Sequence, residues 1–75
     1  MNIEEKVKEI LEVLLEHKID DTNISQENEE LWDSLKHLEI LVTIEEEFGI
    51  KFAEENIPKL NSMELIINKI KEIKK

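Results

Sequence analysis

One glycine and one proline in 75 residues leave this chain few places to turn sharply. Gly49 and Pro58 are those two residues, and both fall in its second half. Elsewhere Leu, Ile, Glu and Lys dominate, mostly fair or good helix formers. Apolar residues recur every three or four positions, and the strict alternation of a half-buried strand is missing. The chain therefore reads as all-α. The expected architecture is a small four-helix bundle, three longer helices plus one short helix, in a single domain over residues 1–75. With no cysteine, neither a disulfide nor a thiolate metal site can brace so small a core.

The first helix starts after Asn2, which can cap it, with Glu5 three residues on as in a capping box. Ile3, Val7, Ile10, Leu11 and Leu14 form its apolar stripe, which fades at Glu16-His17-Lys18. The second helix spans Ser34 to Phe48 and stops at Gly49. A short segment around Glu54–Ile57 follows, limited by Pro58. Asn61 with Glu64 repeats the asparagine-x-x-glutamate cap. Met63, Ile66, Ile67 and Ile70, extending to Ile73, mark the last helix, whose C-terminal dipole end suits lysines 69, 71, 74 and 75.

Between the first two helices lies a long connection, residues 17–33. Asp20, Asp21, Thr22, Asn23, Ser25 and Asn28 are turn formers, and Ile19, Ile24 and Leu31 are apolar points able to pin it. So long a loop in a compact domain hints at function. The spacing of Asp21, Asn23 and Ser25 suggests a calcium loop, but Gln26 stands where glycine is needed and Trp32 where glutamate is needed. His17, alone in the loop, makes no metal site with His37, so no metal site is expected.

The second helix carries two apolar faces. With about 100° per residue and Ser34 at the origin, His37, Ile40, Leu41, Ile44 and Phe48 cluster near roughly 300°, a core stripe. Leu35, Leu38 and Val42 cluster separately near roughly 70°, flanked by Glu39 and Glu46 on one side and Glu45 on the other. Either the long loop covers this second strip or a partner docks on it through apolar contacts with a charged rim. Glutamates are poor company beneath a loop, which favours docking.

Ser34 heads that helix directly after Asp33. Either side chain can cap the first turn; if Asp33 does, the Ser34 hydroxyl stays free. A helix N-terminus also favours a phosphate. A Ser34–His37–Asp33 hydrolytic triad fails, because the angular count turns His37 towards the core. Nor does a glycine-containing turn or strand–elbow–helix pattern supply an oxyanion hole.

The net charge is −9, unevenly spread. Residues 1–30 carry 10 acids and 3 bases, residues 31–58 carry 7 and 2, and residues 59–75 carry 2 and 5. Such acidity repels phosphate backbones, so nucleic acid is not an expected partner, and basic protein surfaces are. Met1-Asn2-Ile3-Glu4-Glu5 lacks the apolar region of a signal peptide, and no apolar run approaches the ~18 residues of a membrane span. A soluble, cytoplasmic monomer is expected.

Asp33-Ser34-Leu35, then Leu38-Glu39-Ile40-Leu41, then Ile44-Glu45-Glu46-Glu47-Phe48-Gly49-Ile50, together resemble the acyl carrier proteins, within a wider family that includes peptidyl and D-alanyl carriers. The resemblance covers nearly the whole chain. It implies a non-catalytic protein whose Ser34, flanked by Asp33 and Leu35, holds 4′-phosphopantetheine. A phosphopantetheinyl transferase installs that arm from coenzyme A, and its terminal thiol carries acyl groups as thioesters. It further implies that Leu35, Leu38, Glu39, Val42 and Glu46 meet the partners: the transferase and the acyl- or aminoacyl-loading and acyl-processing enzymes of fatty-acid, lipid or secondary-metabolite synthesis. Leu31-Trp32 stands where many members have glycine and a small or aliphatic residue, and Lys36 where an acid is common. An aminoacyl, D-alanyl or peptidyl carrier shares these features, and an unmodified helical adaptor would use the same strip.

Overall fold

The computed structural model describes residues 2–16, 18–19 and 23–74. The readings made on Met1, His17, Asp20, Asp21, Thr22 and Lys75 fall outside them. Among the described residues the chain is helical: α1 (Ile3–Leu15), α2 (Ser34–Phe48), a short 3-10 helix (Glu54–Lys59) and α3 (Met63–Ile73). The only pairing of strand type among them is an isolated bridge between Ser25 and Ser62.

Helix α1 begins as its sequence dictates: the Asn2 side chain accepts a hydrogen bond from the Glu5 N–H at 3.1 Å. Val7, Ile10 and Leu11 are buried, with Ile3 and Leu14 packed at the edge. Leu15, absent from the expected stripe, is wholly buried. The chain leaves the helix through Glu16 in a left-handed conformation, φ 59°, and the Glu12 carboxylate accepts the Ile19 N–H at 2.9 Å. That contact turns the chain back so that Ile19 enters the core.

The core holds α1 against both α2 and α3. Helix α2 contributes the stripe read from its periodicity: His37, Ile40, Leu41, Ile44 and Phe48 are its buried residues. Gly49 ends the helix at φ 65°, and its N–H reaches the Glu45 carbonyl. The Lys74 ammonium donates to the Phe48 carbonyl at 3.1 Å, so this lysine serves the C-terminal end of α2. Lys71 meets Glu4 of α1 at 3.8 Å.

Four expectations need correction. The cap of α3 is Ser62, whose hydroxyl accepts from the Leu65 N–H at 3.2 Å. Asn61 is instead drawn to the loop, where its carbonyl accepts from the Gln26 N–H at 2.8 Å. The Ser25–Ser62 bridge holds Ser62 extended, the conformation a cap needs. Leu31 does not pin the loop: it is half exposed, while the adjacent Trp32 is buried, because the indole N–H finds an acceptor inside. Ile73 faces out. The short segment is a 3-10 helix that runs through Pro58; proline's missing N–H costs little in so short a piece.

Candidate functional site

The site is built on the first turn of α2. Asp33 takes the capping role: its carboxylate accepts from the Lys36 N–H at 2.8 Å and its carbonyl from the His37 N–H at 2.8 Å. Among the described residues the Ser34 hydroxyl has no hydrogen-bond partner, and neither do the Ser34 and Leu35 N–H groups. Ser34 itself is exposed. A free hydroxyl therefore stands beside free donors at the positive end of a 15-residue helix.

Leu35, Leu38 and Val42 lie along one side of α2, 79%, 51% and 52% exposed. The long loop leaves this strip open. Glu39 and Glu46 are exposed on its flank. Glu39 is engaged by Lys36 at 2.9 Å. That bond holds the Lys36 ammonium above its ordinary value of 10.5, with Glu16 and Asp33 adding attraction. The Glu45 carboxylate is already engaged: it accepts the Phe52 N–H at 2.7 Å and shapes the exit from α2.

His37 is buried and both ring nitrogens are committed. The Trp32 indole Nε1–H, which can only donate, meets Nδ1 at 3.0 Å. Nδ1 is therefore the acceptor, and Nε2 carries the proton it donates to the Ile57 carbonyl at 2.6 Å. The two rings sit 6.1 Å apart with planes inclined by 27°. No ring nitrogen is left to act as a base for Ser34, in agreement with the inward turn read from the helix period. Sequence reasoning missed the bond itself. The five-residue spacing of Trp32 and His37 was visible, but the loop conformation that folds Trp32 back over the helix was not.

An open cleft of about 280 Å³ runs from Ser34 and is lined by Gln26, His37, Leu38, Ile57 and Pro58. Its walls are therefore α2 on one side and the 3-10 helix on the other. Among the described residues, no group of three histidine or carboxylate side chains converges to hold a metal ion, and no helix is long and apolar enough to cross a membrane.

No protein-family model matches the chain. It is similar to the acyl carrier protein of Buchnera aphidicola subsp. Schizaphis graminum (strain Sg), 35% identical over 71 residues, a match spanning 92% of this chain and 90% of that protein.

Proposed function

This chain belongs to the acyl carrier protein family of non-catalytic carriers, and on that premise we propose that Ser34 is the attachment point for 4′-phosphopantetheine. The observation that carries the proposal is the division of labour at the start of α2. Asp33 caps the helix, which leaves the Ser34 hydroxyl exposed and unengaged.

The residues present fit such a group. A phosphodiester on the Ser34 oxygen would lie beside the unpaired N–H groups of Ser34 and Leu35, where helix donors favour an anion. Leu38, Ile57 and Pro58 offer apolar surface, and Gln26 a polar side chain, along the adjoining cleft. When bound, the arm supplies a thiol that holds acyl groups as thioesters. The protein's own residues do the rest. Asp33 fixes the helix start, and the rigid helix sets where the arm emerges. The strip of Leu35, Leu38 and Val42, with Glu39 and Glu46 beside it, receives the enzymes that load and process the cargo. Tethering then gives those enzymes a high effective concentration of substrate.

The partners in this reading are a phosphopantetheinyl transferase and acyl- or aminoacyl-handling enzymes with basic docking surfaces. The acidity of the chain, −9 overall, supports that complementarity. A cytoplasmic monomer, one carrier domain over residues 1–75, fits the same reading. The test is incubation with coenzyme A and a broad-specificity transferase, followed by intact mass. Wild type gains one phosphopantetheine and Ser34→Ala gains none. An unmodified wild type, under conditions that modify a control carrier, overturns the proposal.

A further inference from the structure

The 3-10 helix Glu54–Lys59 has no buried residue of its own. Its deepest side chain, Ile57, is half-buried at the margin of the core. A segment with so little buried apolar surface belongs to the least stable parts of a fold. Yet this segment forms one wall of the cleft beside Ser34. The bond that ties it to α2 there is the one from His37 Nε2 to the Ile57 carbonyl, and His37 is in turn fixed from behind by Trp32.

Behind His37 stands Trp32, joined to it by the indole hydrogen bond. Trp32, Leu41, Ile44 and Met63 are each no more than 2% exposed, as expected of a densely packed interior. An apolar chain tethered at Ser34 gains by leaving water, and the short way in passes between α2 and the 3-10 helix. Taking it would part Ile57 from His37 and strand a ring N–H and a carbonyl away from water.

We propose that His37 is a specificity-determining residue for the tethered cargo. Its double hydrogen bond keeps the cleft floor shut, so that the acyl group stays outside the core. The carrier then suits short or polar acyl groups, which lose little by remaining in water. A longer alkyl chain gains no shelter from it. This inference rests on the reading that Ser34 carries the arm.

The experiment loads the apo protein from acetyl-coenzyme A and, separately, from octanoyl-coenzyme A, using a broad-specificity transferase. Intact mass reports loading first, and no mass gain overturns the Ser34 reading before the cleft is tested. Both loaded forms are then treated with hydroxylamine, and thioester loss is followed relative to the free acyl-coenzyme A. In the wild type both thioesters are expected to react at the same relative rate, with amide exchange at residues 54–60 independent of chain length. His37→Leu is expected to protect the octanoyl thioester several-fold while leaving the acetyl thioester unchanged. Trp32→Phe, which removes the bond behind the histidine, is expected to do the same more weakly, and it decides the matter if His37→Leu loses its helical circular dichroism. Several-fold protection of the octanoyl form in the wild type overturns the inference. So does a folded variant that shows no dependence on chain length.

Discussion

Trp32 donates its indole N–H to His37 Nδ1 at 3.0 Å and so fixes which nitrogen of a buried histidine holds the proton. The consequence reaches past the pair. With Nε2 made the donor, His37 binds the Ile57 carbonyl at 2.6 Å, and the junction of the long loop with the first turn of α2 is tied to the 3-10 helix, 20 residues further along the chain. Among the described residues, no buried side-chain nitrogen or oxygen is left without a partner, so this polar group inside the core is fully satisfied. His37→Leu leaves the indole N–H and the Ile57 carbonyl without it, and a lost buried partner costs about 2 kcal/mol. Urea denaturation followed by Trp32 fluorescence checks this. A midpoint equal to wild type would show that the bonds add nothing to stability.

Asp33 offers a second test, because the cap adjoins the proposed attachment point. Asp33→Ala removes the acceptor for the Lys36 N–H, and losing such a cap costs about 1 kcal/mol. Asp33→Asn keeps an acceptor oxygen and is expected to retain most of that. Thermal melts of the three proteins should rank wild type, Asn, Ala. If Ala equals wild type, the Ser34 hydroxyl has taken over the cap, and its freedom in the native chain is no longer explained.

Much of this was legible in the sequence, and the legible part shares one cause. The helical period alone separated His37, Ile40, Leu41, Ile44 and Phe48 from Leu35, Leu38 and Val42, and the burial of α2 follows that division. Asn2 and Gly49 marked helix ends because the end geometry selects those residue types. The misses arose where tertiary contacts override local signals. Ser62 caps α3 in place of Asn61 because the loop at Ser25 pairs with it. Trp32 rather than Leu31 enters the core because it finds a hydrogen-bond acceptor there. Glu45 looked like a rim residue, but the return of the chain at Phe52 claims its carboxylate. No periodic pattern encodes a contact between segments.

The exposed strip predicts a separation of stability from turnover. Leu38 is 51% exposed, so Leu38→Glu should leave helicity and melting temperature near wild type while weakening docking. Glu39→Lys removes an acid and sets Lys36 against a like charge. Each is expected to lower transferase turnover at limiting carrier by about tenfold, equivalent to ~1.4 kcal/mol of lost docking. Val13→Glu provides the control, since Val13 is even more open to solvent but lies on α1. Equal turnover for all three variants would count against the strip as a docking surface.

A pH dependence follows from the Lys6–Glu47 pair, which joins α1 to α2 at 2.7 Å. The hydrogen bond to Glu47 holds the Lys6 ammonium above its ordinary value of 10.5, aided by the carboxylate charge. Folding thus raises the affinity of this group for its proton. The stabilisation is fully present below the unfolded value and is lost as pH rises through the higher folded one. Glu47→Gln should therefore differ from wild type in denaturation midpoint at neutral pH, by a small and salt-sensitive amount. The two curves should converge above the lysine range. A difference that persists there would assign the effect to packing rather than to charge.

Among the described residues two adopt left-handed backbone, Gly49 at φ 65° and Glu16 at φ 59°, and they make a matched pair of opposite predictions. At Gly49 an added Cβ would meet nothing within 4 Å, so the cost of Gly49→Ala is the backbone conformation alone, about 1 kcal/mol. At Glu16 the native residue already bears that cost, with its side chain exposed. Glu16→Gly relieves it, although glycine also makes the unfolded chain more flexible, so the expected net gain is smaller, about 0.5 kcal/mol. Chemical denaturation of the two variants should move the midpoint in opposite directions. If Gly49→Ala is neutral, the C-terminal end of α2 tolerates another conformation, and the Gly49 N–H bond to the Glu45 carbonyl is not needed to end the helix. If Glu16→Gly destabilises instead, the Glu16 side chain contributes more through its charge near Lys36 than its backbone costs.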